Sequence, residues 1–364
     1  MSIPTSATKV VLKNAPTKEV NYEFGQPSST FDVATEKLPE LQDGQILVKI
    51  LYLSNDPTQR TWMQKDQDLS RAYAPPILPG DAVKSLALAE VVASKSSKAA
   101  VGAVVSGRFE WADYAVASEA SIFNIVDQSK GLPLPFYLSV LGMTSLTAYF
   151  GLTEVGQFKK PAEGEKGPIV AVSAASGATG SMVVKIAKHI LGASKVIGIS
   201  GSDEKCKYVE SIGADYCANY HDPEWKEKLT KEIGQDYIDI YFDNVGGDIL
   251  GFMLSKIKRF GRVVACGAIS GYNDRELIKV PNWGEIITNS LTVQGFIVGN
   301  YLAKVPEAIA VLADGLTTGK LQVAESFHVE DLSEKEDKFE QIPQVWKLLF
   351  GNQKPNGKLI TKIA

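Results

Sequence analysis

Residues 167–207 read GPIVAVSAASGATGSMVVKIAKHILGASKVIGISGSDEKCK. An apolar strand runs through a turn of small residues into an apolar-faced helix, and a second apolar strand follows at once. This succession constrains the fold more than any other stretch, because strands joined through a helix pair in parallel and a parallel sheet needs helices over both faces. The turn, Ala175-Ser176-Gly177-Ala178-Thr179-Gly180, approximates G-x-G-x-x-G with alanine in the first place. Gly177 lets main-chain amides approach a pyrophosphate, Gly180 lets the helix pack closely on the strand, and the helix N-terminus favours negative charge. Beyond the turn, Val183, Val184, Ala187, Ile190 and Leu191 give the helix its core face.

The second strand separates the dinucleotides. A sheet that holds NAD places Asp or Glu at the end of this strand, about twenty residues after the turn, to take a ribose hydroxyl. Here KVIGIS ends at Ser200, followed by Gly201 and Ser202. Asp203 and Glu204 come later, where they suit the positive end of the next helix, and Lys205 stands one turn in, able to face a 2′-phosphate. The local chemistry favours NADPH over NADH.

The alternation continues through IDIYFDNVGG, FGRVVACGAIS and SLTVQGFIVGNY. It predicts a doubly wound α/β domain of Rossmann type over residues 142–328. The first 140 residues have a different texture, with β-rich runs EVNYEF, QILVKILYLS, LALAEVVAS, AVVSGRF and WADYAVAS broken by Gly, Pro, Asn and Asp. That spacing predicts a small β-barrel. The tail PNGKLITKI is a single β-run behind a turn and is expected to rejoin the first domain, which then comprises 1–141 and 329–364. Two domains are also what 364 residues lead one to expect, since one core stops growing at shorter lengths.

Composition narrows the function classes. Net charge is −4, from 38 basic and 42 acidic residues without a basic stripe, so nucleic acid is not an expected partner. LSEKEDKFEQ reads as a solvated helix face. No apolar run of membrane-spanning length and no secretory pattern is present, which predicts a soluble cytoplasmic protein without a membrane partner. Cys206, Cys217 and Cys266 lack CxxC spacing and do not form a disulfide framework. His189, His221 and His328 read as packing or surface groups. Residues 1–188 contain neither Cys nor His, which excludes a zinc site of the Cys/His/acid or four-cysteine kind from the first domain.

A set of motifs spread over nearly the whole chain carries a resemblance: LYLSNDPTQR, LGMTSLTAYFGL, AASGATG, GSDEKC, GADYCANY, YFDNVGG, CGAISGYN, GFIVGNY and NGKL. Together they resemble the zinc-independent branch of the medium-chain dehydrogenase/reductase superfamily that holds leukotriene and prostaglandin reductases and double-bond reductases. The resemblance implies a GroES-like domain beside the Rossmann domain, and a homodimer formed through the cofactor domain. It implies that Lys205 and Tyr220 hold the 2′-phosphate, with Ser202 beside them, and that Gly177, Ala178, Thr179 and Gly180 lie against the pyrophosphate. Asn244, Gly267, Phe296, Val298 and Asn356 match positions lining the nicotinamide half, and Tyr272 matches a tyrosine beside the nicotinamide ribose and the substrate oxygen. Where the family commonly reads D-P-Y-M-R, this chain has Asp56-Pro57-Thr58-Gln59-Arg60, so an aromatic side chain of the substrate pocket is missing. Asn55 stands just before, as a hydrogen-bonding partner for substrate or as a turn residue.

The activity implied is NADPH-dependent reduction of the C=C bond of α,β-unsaturated aldehydes and ketones without metal, with hydride passing to the β-carbon. The resulting enolate oxygen needs preorganised donors, for which Tyr272 and the ribose hydroxyl qualify. Two alternatives stand beside it. One is a zinc-free NADPH-dependent carbonyl reductase, the other a non-catalytic NADPH-binding protein.

Overall fold

The computed structural model describes residues 3–65, 67–323, 325–351 and 353–364. Two compact units divide the chain: residues up to Leu138 together with His328–Ala364, and Ser139–Phe327.

The first unit opens with an antiparallel pair, β1 (Ser6–Leu12) and β2 (Phe31–Lys37). Its larger sheet uses β3 (Gln45–Ser54), β4 (Lys84–Ser94), β5 (Val104–Glu110), β6 (Tyr114–Ser118) and β7 (Ile122–Ile125), with a single-turn helix α1 (Gln59–Trp62) after β3. Of the expected β-runs, EVNYEF is not a strand. It is a loop whose main chain exchanges bonds with Thr30, and its alternating apolar residues serve to lay Tyr22 against Phe31 and Trp346, each at 6.2 Å between ring centroids. Phe31, Trp111 and Trp346 meet pairwise at 6.1–6.3 Å and form the middle of this core.

The second unit alternates strictly. In order come α2 (Met143–Phe150), β8 (Ile169–Ser173), α3 (Ala178–Lys185), β9 (Lys195–Ser200), α4 (Asp203–Ser211), β10 (Tyr216–Asn219), α5 (Trp225–Ile233), β11 (Ile238–Asp243), α6 (Gly247–Leu254), β12 (Ile257–Ala265), α7 (Gly284–Thr288), β13 (Thr292–Gly295) and α8 (Val305–Thr317). All six strands are parallel, in the order β10-β9-β8-β11-β12-β13. Every residue of β8 is buried, because alternate side chains enter two separate cores: Val170 and Val172 go to one, Ile169 and Ala171 to the other. The fold is a Rossmann-type doubly wound sheet beside an antiparallel, GroES-like β domain.

The chain ends through β14 (Phe327–Asp331), α9 (Lys338–Lys347) and β15 (Lys358–Lys362). β15 pairs antiparallel with β3. Of the charged run LSEKEDKFEQ only the end is helical, since α9 begins at Lys338.

Candidate cofactor and catalytic site

β8 and β11 are neighbours although β9 and β10 intervene in sequence. The sheet therefore reverses its order of construction between them, and ligands of open parallel sheets bind outside the carboxyl ends of the strands at such a point. The turn after β8 lies there. Ala174 takes the left-handed conformation at φ +50°, its carbonyl accepts from Gly177 N–H at 3.0 Å, and Ser176 N–H donates to Ser200 Oγ at 3.2 Å. A Cβ on Gly180 would stand 2.2 Å from the Ala174 carbonyl oxygen and 2.8 Å from Ala175 Cα, so only glycine allows α3 to start so close to the turn. Gly177 is the N-cap, and no side chain caps the helix. Ala178, Thr179 and Gly180 thus form the opening turn of a helix whose dipole and amides suit an anion.

A second group gathers beyond β9. A Cβ on Gly201 would come within 2.8 Å of Tyr220 Oη, so the phenol lies directly over this glycine. Tyr220 stacks edge-on with His221, ring centroids 4.4 Å apart, and His221 Nδ1 bonds the Gly201 carbonyl at 2.8 Å. Ser202 caps α4 by accepting from Lys205 N–H at 3.2 Å. Asp203, the nearest carboxylate, accepts from Asn219 Nδ2 at 2.8 Å. Burial lowers the pKa of the Lys205 ammonium and raises that of the Tyr220 phenol. A partly desolvated cation gains most from an anionic partner.

Beyond the ends of β11 and β12, Asn244, Gly267 and Tyr272 converge. Tyr272 Oη accepts from Ala268 N–H at 3.4 Å. A Cβ on Gly267 would lie 3.3 Å from that hydroxyl oxygen and 3.2 Å from the Asn244 carbonyl. Asn244 Nδ2 is anchored on the Ser173 carbonyl at 2.8 Å.

Four other expected residues have surroundings of their own. Phe296 is a core residue, 9% exposed, its ring packed on Phe242 and Tyr301; only its main chain is left for a ligand. Val298 starts a short helical turn and packs against the same core. Asn55 and Asn356 belong to the first unit. Asn356 is half-buried in the bend before β15. Asn55 gives its amide hydrogens to Thr361 Oγ1 at 2.9 Å and the Leu359 carbonyl at 3.4 Å, while its Oδ1 is buried without a partner. It retains an acceptor and no donor.

The neighbours of Asn55 are structural. Asp56 is ion-paired with buried Lys358, which also donates to the Asn55 carbonyl at 3.0 Å. Arg60, fully buried, donates to the Lys18 carbonyl and to Gln64 Oε1, both at 2.7 Å. NDPTQR and NGKL are thus two halves of one clamp between β3 and β15.

One feature at the end of β11 escaped sequence reasoning. Asp243, at the end of β11, accepts hydrogen bonds from Ser173 Oγ at 3.0 Å, Tyr241 Oη at 2.9 Å and Gly246 N–H at 2.9 Å. Burial pushes its carboxyl above the usual range, against the pull of these donors. The only signal in the sequence was an acid closing the apolar run IDIYF. Among the described residues no group of three or more His, Cys, Asp or Glu side chains is placed to hold a metal ion.

Two family models match the chain, the N-terminal domain of oxidoreductase over residues 15–125 and zinc-binding dehydrogenase over residues 178–314. Among curated proteins it is 35% identical to the Saccharomyces cerevisiae protein named uncharacterized membrane protein YML131W, over 98% of both chains. It is 35% identical to Bos taurus prostaglandin reductase 1, covering 83% of this chain and 87% of that one, and 34% identical to the NADP(+)-dependent 2-alkenal reductase of Nicotiana tabacum, over 92% of each. Among solved structures, CurA from Vibrio vulnificus in complex with NADPH superposes with a TM-score of 0.82 at 28% identity, over 98% of this chain and 99% of that chain.

Proposed function

The chain belongs to the medium-chain dehydrogenase/reductase superfamily, in the branch of prostaglandin and double-bond reductases, and on that premise we propose that it reduces the C=C bond of α,β-unsaturated aldehydes and ketones. It is an NADPH-dependent oxidoreductase. The residues fit that cofactor: α3 opens without a side-chain cap, β9 ends in Ser200 rather than a carboxylate, Tyr220 lies over Gly201 beyond it, and Lys205 stands in the first turn of α4. The end of β9 in Ser200 in the place of a ribose-binding acid, with Lys205 in the first turn of α4, is the observation that carries the reading. Lys205 and Tyr220 hold the 2′-phosphate, Ser202 orients α4 beneath them, and the turn from Gly177 to Gly180 takes the pyrophosphate.

NADPH, when bound, supplies the hydride. What the chain adds is a place for the charge that builds on the substrate oxygen. In this reading the Tyr272 hydroxyl, which accepts from Ala268 N–H, is the donor to that oxygen. A donor fixed before reaction stabilises the enolate more than the neutral carbonyl. Asn244 and Gly267 support Tyr272 from below. Phe296 and Val298 contribute main chain, Asn356 is assigned to the site by the family resemblance alone, and Asn55 by its place just before Asp56-Pro57-Thr58-Gln59-Arg60.

The reaction is read as metal-free. Although one matching family model is described as a zinc-binding dehydrogenase, residues 1–188 hold no Cys or His with which to build such a site. A homodimer fits the same reading, since β13 is an edge strand whose Val293 is exposed, next to exposed Trp283 and Ile287. Among the described residues no helix is long and apolar enough to cross a membrane, and free thiols at Cys206, Cys217 and Cys266 suit the reducing cytoplasm.

The test is product analysis from one enone with each cofactor. The saturated carbonyl compound, formed faster with NADPH than with NADH, is the expected product. An allylic alcohol would favour the carbonyl-reductase alternative, and tight NADPH binding without turnover of any enone would favour a binding protein.

A further inference from the structure

Asp243 is 1% exposed and is held by hydrogen-bond donors rather than by a cation. Its Oδ1 accepts from Ser173 Oγ at 3.0 Å, Tyr241 Oη at 2.9 Å and Val245 N–H at 3.3 Å, and its Oδ2 accepts from Gly246 N–H at 2.9 Å. Its main-chain oxygen takes the N–H groups of Cys266 at 2.9 Å and Gly267 at 3.1 Å. One residue thereby joins the ends of β8, β11 and β12, around the point where the sheet reverses order.

The direction of these bonds matters more than their number. A serine hydroxyl has a single hydrogen. Ser173 gives it to Asp243 and so presents a lone pair to Asn244 N–H, at 2.9 Å. An amide in place of the carboxylate would turn an NH2 group either toward Gly246 N–H or toward the three donors at Oδ1. Both placements set donor against donor, and with the NH2 group at the Oδ1 position the Ser173 hydroxyl loses its acceptor and is released from the orientation Asn244 requires.

We propose that Asp243 is a positioning residue of the reductase site, whose carboxylate, acting through Ser173, fixes Asn244 in the arrangement that receives the cofactor, while its main-chain oxygen holds the Gly267 end of β12. The proposal rests on the NADPH reading above. If Asp243 served stability alone, affinity for NADPH would fall only in step with the melting temperature.

Three variants separate these roles. Ser173→Ala breaks the relay to Asn244, Asp243→Asn inverts its polarity, and Tyr241→Phe removes a donor that reaches the same carboxylate from the core side. Each is assayed for melting temperature and, without substrate, for NADPH dissociation constant by nucleotide fluorescence. Ser173→Ala and Asp243→Asn are expected to weaken NADPH about tenfold or more, the worth of one hydrogen bond in a charged network. Tyr241→Phe should lower the melting temperature yet bind NADPH within about twofold of the parent. Should Asp243→Asn fail to fold, the contrast between the other two decides. A folded Ser173→Ala protein with parental affinity overturns the proposal, as does affinity that follows melting temperature across all variants. A parent protein that binds no NADPH overturns the cofactor reading, and the positioning role with it.

Discussion

Lys205 and Tyr272 mark the two ends of the proposed chemistry, and substitutions at them have separable consequences. Removing the Lys205 ammonium deletes a charge-assisted contact worth about 1.5–3 kcal/mol, so Lys205→Ala should weaken NADPH by about ten- to a hundredfold and leave NADH nearly unchanged in binding titrations. Equal losses for both cofactors would place Lys205 away from the 2′-phosphate. Tyr272→Phe keeps the ring over Gly267 but removes the donor. Loss of one such donor costs on the order of a hundred- to a thousandfold in turnover, and the ribose hydroxyl remains as a second, so steady-state assays should show kcat down by about ten- to a hundredfold with NADPH affinity intact. Parental turnover would remove Tyr272 from the mechanism. Lys205 could be named from local sequence because it lies within five residues of Ser200, whereas Tyr272 was named by the family resemblance. Asp243 was not legible, because its meaning comes from Ser173, seventy positions away. The packing of the Phe296 ring was likewise not legible, since Phe242 and Tyr301 come to it from other elements.

At the scale of elements, α3 and the turn before it bear the most weight. Gly180→Ala would put a methyl group 2.2 Å from the Ala174 carbonyl oxygen, a main-chain atom held by its bond to Gly177 N–H. Calorimetry should show the variant destabilised by about 1–3 kcal/mol, the usual cost of overpacking, and NADPH should bind more weakly because the uncapped turn is displaced. Unchanged stability and affinity would mean the close approach is not needed. Strand identity was readable where apolar runs are bounded by turn residues: KVIGIS coincides with β9 residue for residue. It was not readable in EVNYEF, where period-two alternation reflects a loop lying on an aromatic core. Alternation records which side chains are buried and says nothing of which main chain lies alongside. β1 and β2 went unseen because their outer residues are mixed and polar.

For the molecule as a whole, the parallel half announces itself through one strand–turn–helix, whereas the antiparallel half depends on pairings distant in sequence, such as β15 on β3. Zinc ligands are a question for each half of the chain: residues 1–188 hold no Cys or His, and among the described residues no group of three or more His, Cys, Asp or Glu side chains is placed to hold a metal ion. Purified protein should contain far less than one zinc per chain by elemental analysis, and chelators should leave turnover unchanged; stoichiometric zinc with chelator-sensitive turnover would contradict a metal-free reaction. The central claim, that this NADPH-dependent enzyme reduces a carbon–carbon double bond, is tested most directly by isotope placement. With NADPH deuterated at the transferable position and a simple enone, NMR of the product should find deuterium on the β-carbon of the saturated ketone. Deuterium on the carbinol carbon of an allylic alcohol would contradict it.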